Sequence, residues 1–120
     1  MSPSPLELIQ HIFDEVIFLL TESASLDQDL FLVDEKSKRA FARSIEIIGE
    51  ASKKLPDEFK ERWSHIEWKP IARMRDRLIH HYFGVDYGLV WDTIMTDIPK
   101  LKEDISKIIK AEQNRGGDVQ

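Results

Sequence analysis

Apolar residues recur every three or four positions along almost the whole chain, which is the spacing of one helix face. No segment shows the strict alternation that is typical of a half-buried strand. The first segment carries two such stripes: Leu6, Ile9, Phe13, Val16 and Leu20 form one, and Leu8, Ile12 and Leu19 form the other. A helix with two apolar faces either lies centrally in its domain or lends one face to another subunit.

A second long helix is predicted from Asp34, a good N-terminal cap, to about Lys54. Residues 22–34 before it read as a loop with one short turn around Asp29 to Phe31, and Pro56 ends the helix. Its inward residues are predicted to be Phe41, Ile45, Ile48, Ser52 and Leu55. Gly49 costs about 1 kcal/mol relative to alanine in a helix interior, so its small size predicts close approach of another helix.

The centre of the chain predicts two shorter elements. Residues 57–67 read as a short helical turn, and Trp68 leads into a helix with Pro70 in its first turn, where proline is tolerated. Gly84 fits the residue just beyond the end of that helix. The three tryptophans, Trp63, Trp68 and Trp91, are better explained as core or interface anchors than as platforms for stacking bases.

Asp86 can cap the last helix, with Val85 and Val90 as a hydrophobic staple across the cap. One apolar stripe continues past Pro99: Trp91, Ile94, Ile98, Leu101, Ile105 and Ile108. Either a kinked helix or two nearly collinear helices, the second capped by Asp97, satisfies this pattern.

The composition fits a single domain, residues 1–120, with residues 1–4 and 112–120 expected to be flexible. A domain of this size gains stability from a partner subunit, so we expect an oligomer. Zero cysteines exclude disulfides and thiolate metal sites. No secretory signal and no membrane-length apolar run is visible, which makes a cytoplasmic protein without membrane contact the expectation.

Charge is unevenly distributed. The net charge of −5 argues against general attraction to nucleic acid. Residues 69–85 are an exception, because this segment contains four basic residues and one acidic residue. The basic residues are Lys69, Arg73, Arg75 and Arg77, and the acid is Asp76.

The most informative segment lies inside this basic stretch, RDRLIHHY from Arg75 to Tyr82. Arginine binds phosphate through a bidentate fork, histidine moves protons near neutral pH, and tyrosine offers a hydroxyl. On a regular helix, however, Arg75 and His80 point about 140° apart. Either the helix unwinds before His80, or the same segment of a two-fold-related chain completes the site; the doubly apolar first helix favours the second option.

RDRLIHHY resembles a motif of HEPN-fold ribonucleases. That motif consists of an arginine, a polar residue, three variable residues, a histidine, one variable residue and a tyrosine. Its surroundings are similar to the HepT-like toxin family in three segments, in order and spacing: IEIIGEASKKLP, WKPIARMRDRLIHHYFGVD and VWDTIMTDIPKL. The resemblance covers residues 6–110. It implies an all-α, HEPN-type antiparallel bundle of four to five helices that dimerises.

The resemblance also implies a function. Such proteins are metal-independent endoribonucleases without a cofactor, toxins of a type VII-like toxin-antitoxin pair whose antitoxin is an MNT-type nucleotidyltransferase, in some cases within a larger complex. By position, Arg75 would bind phosphate, Asp76 would be the polar helper, His80 the catalytic histidine and Tyr82 the tyrosine that the antitoxin adenylylates. Asp76 departs from the asparagine that is commonest there, and its carboxylate could orient Arg75 or compete with phosphate for it.

Three further residues are candidates for contact with RNA: Arg73, Arg77 and His81. Solvated or ion-paired arginines and a histidine favoured by the helix dipole explain them without any function. Two other functions stay open for the chain: a catalytically silent HEPN module that binds nucleotides or assists a nucleotidyltransferase, and a purely structural helical dimer. A metal site built from His11, His65 and the scattered carboxylates is not expected.

Overall fold

Three long helices form the frame of the molecule. The computed structural model describes residues 2–80 and 84–118, apart from the side chains of residues 116–118. The long helices are α1 (Pro5–Ser23), α3 (Glu35–Lys54) and α7 (Tyr87–Asp118). α7 has 32 residues, which at 1.5 Å per residue span about 48 Å, so it sets the 51 Å long axis of the molecule.

Helix α1 packs against both α3 and α7. Residues from both of its apolar stripes are buried, among them Ile9, Ile12, Val16 and Leu19. The chain itself therefore covers part of both stripes of α1, whereas Leu6, Phe13 and Leu20 of the first stripe are only partly buried. Of the two explanations for a doubly apolar helix, the central position is seen within one chain, and the dimer stays a prediction.

Short elements fill the gaps between the long helices. They are α2 (Gln28–Val33), α4 (Asp57–Arg62), α5 (Trp68–Ala72), α6 (Met74–Leu78), β1 (Ile79–His80) and β2 (Gly84–Val85). Asp27 caps α2 by accepting from the Leu30 amide at 2.8 Å. Phe31 then stacks on Phe41 of α3 and packs against Trp91 of α7, which fixes α2 in place.

The predicted long helices are confirmed, with their caps. Asp34 accepts from the Ser37 amide at the start of α3, and Asp86 accepts from the Leu89 amide at the start of α7. All the residues predicted to face inward from α3 and α7 are buried. α7 runs through Pro99 as one helix, so Asp97 caps nothing and pairs with Arg77 instead.

The number of helices is larger than predicted. The described residues form seven helices instead of four or five, because α2 is a full helix and because α5 and α6 are separate. The sequence predicts a helix that ends just before Gly84. In the structure, β1 and β2, of two residues each, instead pair as an antiparallel hairpin. The fold is otherwise helical, and none of its helices within the described ranges is long and apolar enough to cross a membrane.

Gly49 explains how α5 comes to lie so close to α3. A Cβ atom at this position would be 3.2 Å from the backbone oxygen of Ala72, closer than most side chains tolerate. The predicted close approach of another helix is confirmed, and the partner is α5. This contact holds the start of α6, which follows Ala72 after one residue, against α3.

Replacing Gly49 tests this contact. We expect Gly49→Val to destabilise the fold by about 1–3 kcal/mol through overpacking. In Gly49→Ala the gain in helix propensity, about 1 kcal/mol, offsets most of the tighter contact. Urea unfolding measures both, with Arg39→Val at an exposed position of α3 as the control. Equal stability of the Gly49→Val and Arg39→Val variants would show that the approach imposes no constraint.

Glu112 joins α7 to α4. Its carboxylate accepts hydrogen bonds from Arg62 Nη2 at 2.8 Å and from Trp63 Nε1 at 3.1 Å. Burial acts to raise the pKa of Glu112, but these bonds and the charges of Arg62 and Arg115 outweigh it, and the pKa lies below its ordinary value of 4.5. The helix continues beyond Glu112 to Asp118; the flexibility expected of residues 112–120 stays a prediction.

Because the pKa of Glu112 is lowered in the folded protein, its ionised carboxylate stabilises the fold. This stabilisation is complete above pH 4.5 and is lost as the pH falls through the lowered folded pKa. We expect Glu112→Gln to cost about 1 kcal/mol at neutral pH and progressively less in acid. Thermal unfolding between pH 3 and 7 checks this, with the exposed Glu103→Gln as control. A cost that is constant over this range would contradict it.

Candidate functional site

The segment RDRLIHHY does not form one regular helix. α5 ends at Ala72, and Arg73 forms a turn with φ −93° and ψ 1° before α6 begins at Met74. α6 ends at Leu78, and Ile79 and His80 are extended. The helix thus ends before His80, as the first of the two geometric alternatives requires. Completion of the site by a second chain stays a prediction.

The end of α6 is fixed by the hairpin. Ile79 pairs with Val85 and His80 with Gly84. Gly84 has φ +75°, a conformation that favours glycine because it has no Cβ atom. The Asp86 amide donates to the Leu78 carbonyl oxygen at 2.8 Å, which satisfies a backbone group at the end of α6. His80 is therefore held on hydrogen-bonded backbone, with its side chain exposed.

Arg75 lies on the side of α6 that faces α3. Its Nε atom is 4.0 Å from Glu46 Oε2, and its Nη1 atom is 3.6 Å from Asp76 Oδ1. The side chain keeps 43% of its surface exposed. Asp76 therefore lies beside Arg75, and its role as the polar helper stays a prediction. Within the described residues, no hydrogen bond joins Arg75 directly to His80.

Sequence reasoning singled out neither Arg43 nor Glu46, which α3 adds to this cluster. Glu46 Oε2 is also 3.4 Å from Arg43 Nη1, and Arg43 Nη1 is 3.8 Å from Glu50 Oε1. Positions 43, 46 and 50 lie on one face of a helix because they are three and four apart. Gly49 lies one turn after Glu46, so its predicted helix contact was the signal that this face approaches the motif.

Arg77 points away from Arg75. Two residues correspond to about 160° between their directions on a helix. Arg77 Nη2 pairs with Asp97 Oδ2 of α7 at 3.5 Å, at the edge of a groove of about 140 Å³ between α5, α6 and α7. Arg73 is exposed in the turn between α5 and α6. Contact of Arg77 with RNA would therefore involve a different surface from that of Arg75, or a longer stretch of substrate. The RNA contacts of Arg73 and Arg77 stay predictions.

Two of the candidate residues lie outside the described part of the chain, His81 and Tyr82. Their predicted roles in RNA contact and in adenylylation stay predictions. Within residues 2–80 and 84–118, no group of three or more His, Cys, Asp or Glu side chains is arranged to hold a metal ion.

Comparison with known proteins decides the family. The profile described as "Ribonuclease HepT-like" matches residues 9–108. This chain belongs to the HepT-like ribonuclease family. No solved structure matches it significantly.

Several curated relatives carry ribonuclease names. A protein of Caldanaerobacter subterraneus named "Putative RNase" is 44% identical over 110 residues, covering 92% of this chain and 98% of that protein. "Probable ribonuclease HepT" of Thermococcus cleftensis is 44% identical over 105 residues, covering 88% and 86%. A third, "Gamma-glutamylcyclotransferase and putative RNase" of Methanocaldococcus jannaschii, is 46% identical over 102 residues, which are 85% of this chain and 46% of that protein.

Proposed function

We propose that this HepT-like chain is an endoribonuclease that cleaves RNA with Arg75 and His80. One observation carries the proposal: Arg75 is positioned by carboxylates yet partly exposed, and an exposed His80 follows it just beyond the end of the same short helix. An arginine for the phosphate and a histidine for the proton are the two groups that RNA cleavage requires. The family membership and the names of its relatives support the same function.

The proposed reaction uses the nucleophile that RNA itself carries. The ribose 2′-hydroxyl loses its proton to a base and attacks the adjacent phosphorus, and the 5′-oxygen leaves with a proton, so the product is a cyclic phosphate. His80 transfers protons, which contributes roughly 10²- to 10⁴-fold in rate. Arg75 stabilises the charged phosphorane, and such a preorganised donor contributes about 3–4 kcal/mol. The step needs no metal ion and no cofactor.

A dimer would supply both proton-transfer groups of this scheme. The reaction needs both a base and an acid, and His80 of each of two chains would provide one of each. We therefore propose a homodimer with the site at its interface. The proposal rests on this chemical need and on the family.

The proposed biological role is that of a toxin. Its antitoxin would be a nucleotidyltransferase that adenylylates Tyr82, two residues beyond His80. A bulky, charged adenylate at this distance along the chain would block access of RNA to His80 and repel its phosphates. The antitoxin would thus neutralise the enzyme by a modification beside its catalytic histidine.

One observation favours a different function. Arg75 has carboxylates on both sides, Glu46 and Asp76, which neutralise its charge in the free protein. A catalytically silent module that serves a partner nucleotidyltransferase would tolerate this neutralisation. The cleavage experiment below distinguishes the two functions.

Substitution of the two principal residues tests the proposed enzyme. We expect Arg75→Ala and His80→Ala each to lower RNA cleavage by at least 10²-fold. Arg77→Ala should cost less, since Arg77 faces Asp97. The assay uses pure protein, labelled RNA and EDTA, with a substrate carrying 2′-deoxyribose at the cleaved position as control. Chelator-sensitive cleavage or cleavage of the deoxy substrate would contradict the mechanism, and no cleavage by the wild type would favour the silent module.

Mass spectrometry tests the modification of Tyr82. Incubation with the nucleotidyltransferase encoded next to this protein and ATP should add one adenylate and abolish RNA cleavage. Tyr82→Phe should gain no adenylate and keep its cleavage activity in the presence of the transferase, while Tyr87→Phe, which changes a tyrosine of α7, should behave as the wild type. Unchanged mass of the wild-type protein would remove the regulatory proposal.

A further inference from the structure

The ion pairs around Arg75 continue on to α3 as an alternating chain of charges. In order it consists of Glu50, Arg43, Glu46, Arg75 and Asp76. Its central member is Glu46, whose Oε2 atom is within 4.0 Å of a nitrogen of both Arg43 and Arg75. The two arginines come from different helices, α3 and α6, yet one oxygen atom is close to both guanidinium groups.

We propose that Arg43 is a second residue that binds RNA phosphate, and that Glu46 is the positioning residue that sets the separation of Arg43 and Arg75. The inference rests on the proposed ribonuclease function of Arg75. It adds one face of α3 to a site that the sequence motif confines to residues 75–82. No role in the reaction itself is implied for Arg43.

The spacing of the two arginines suits a phosphate diester. Two guanidinium groups that can approach one carboxylate oxygen can also each donate to one of the two non-bridging oxygens of a phosphate. Arginine suits this role because its donors form a fixed fork. One phosphate between Arg43 and Arg75, or two adjacent phosphates of one strand, would satisfy both side chains.

The side chains of the two arginines are more exposed to solvent than that of Glu46. The side chain of Arg43 is 59% exposed and that of Arg75 43%, whereas that of Glu46 is 28% exposed. An RNA strand arriving from solvent therefore meets the guanidinium groups first. Glu46 lies one turn before Gly49, where α3 and α5 are in close contact.

The outer carboxylates are those that a phosphate would replace. The chain of charges has three acids and two arginines, so it does not attract RNA by its net charge. Glu50 and Asp76 are 52% and 58% exposed, whereas Glu46 is 28% exposed. The ion pairs of the more exposed carboxylates are the weaker ones, because water screens them. Phosphate can displace Glu50 and Asp76 while Glu46 continues to orient both arginines.

Binding and cleavage by matched variants test the role of Arg43. We expect Arg43→Ala to raise the KM for RNA about tenfold with little change in kcat, and to reduce the slope of log Kd against log salt by about one. The control is Arg39→Ala, which removes the same charge from an exposed position one turn earlier on α3 and should change KM less than twofold. Arg43→Lys should restore the salt slope. If Arg43→Ala and Arg39→Ala behave alike, Arg43 has no specific role.

Glu46→Gln tests the positioning role separately. Loss of its charge should lower kcat about tenfold because Arg75 is no longer oriented, while RNA binding stays equal or becomes tighter because a competing carboxylate is gone. Glu50→Gln, which removes an acid from the same face of α3, should tighten binding without lowering kcat. An unchanged kcat in Glu46→Gln would overturn the positioning role. Thermal unfolding of each variant shows whether the fold is intact.

Binding of an RNA with a 2′-deoxy linkage keeps this inference separate from the proposed function. If the wild type cleaves RNA but Arg43→Ala binds as Arg39→Ala does, the inference alone fails. If the wild type cleaves no RNA, the proposed function fails, and the same binding comparison still decides whether Arg43 contacts phosphate.

Discussion

The contact between Gly49 and the backbone of Ala72 determines where the chemistry of this molecule lies. A Cβ atom at Gly49 would be only 3.2 Å from the Ala72 oxygen, so only glycine permits α3 and α5 to meet without a shift. α6 starts two residues after Ala72 and therefore begins against the same face of α3. One turn before Gly49 on that face is Glu46, which is how a carboxylate from α3 comes within 4.0 Å of Arg75. The same contact thus contributes both to the packing of α3 and to the position of the site.

The central position of α1 changes what the sequence implies about assembly. A helix with two apolar faces admits two explanations, and this one is covered on both faces by α3 and α7 of its own chain. The central position thus accounts for most of its apolar pattern, while Phe13 and Leu20 stay partly exposed. The case for a dimer now depends on the reaction, which needs an acid and a base, and on the family.

The local sequence pattern predicted the long helices for two reasons. Their buried residues recur with the helical period, and each capping side chain bonds to an amide only three residues away. Asp34 and Asp86 each bind an amide three residues ahead, an interaction that a sequence shows directly. The break at Arg73 and the hairpin after Leu78 depend on something else. The residues around Arg73 are acceptable helix formers, and the hairpin is closed by the bond between the Asp86 amide and the Leu78 oxygen, eight residues apart.

The same distinction applies to the site. The motif identified Arg75 and His80 because they lie in one short segment, and it also predicted that a regular helix could not unite them. Glu46 and Arg43 precede that segment by about thirty residues, so only the packing of α3 on α5 brings them to it. Gly49 indicated that packing in the sequence. A glycine predicts that another helix approaches closely, but it does not indicate which side chains the approach brings together.

The carboxylates beside Arg75 could keep this arginine from binding phosphate. A comparison of the free energies of the two interactions decides whether they do. Ion pairs between partly exposed groups contribute about 0–1 kcal/mol each, and those of Arg75, at 3.6 and 4.0 Å, are longer than a hydrogen bond. An arginine that stabilises a phosphorane gains about 3–4 kcal/mol. The second term exceeds the first even when both carboxylates are counted. Glu46 and Asp76 can therefore orient Arg75 in the free protein without withholding it from a transition state, so the neutralised arginine is compatible with catalysis as well as with a silent module.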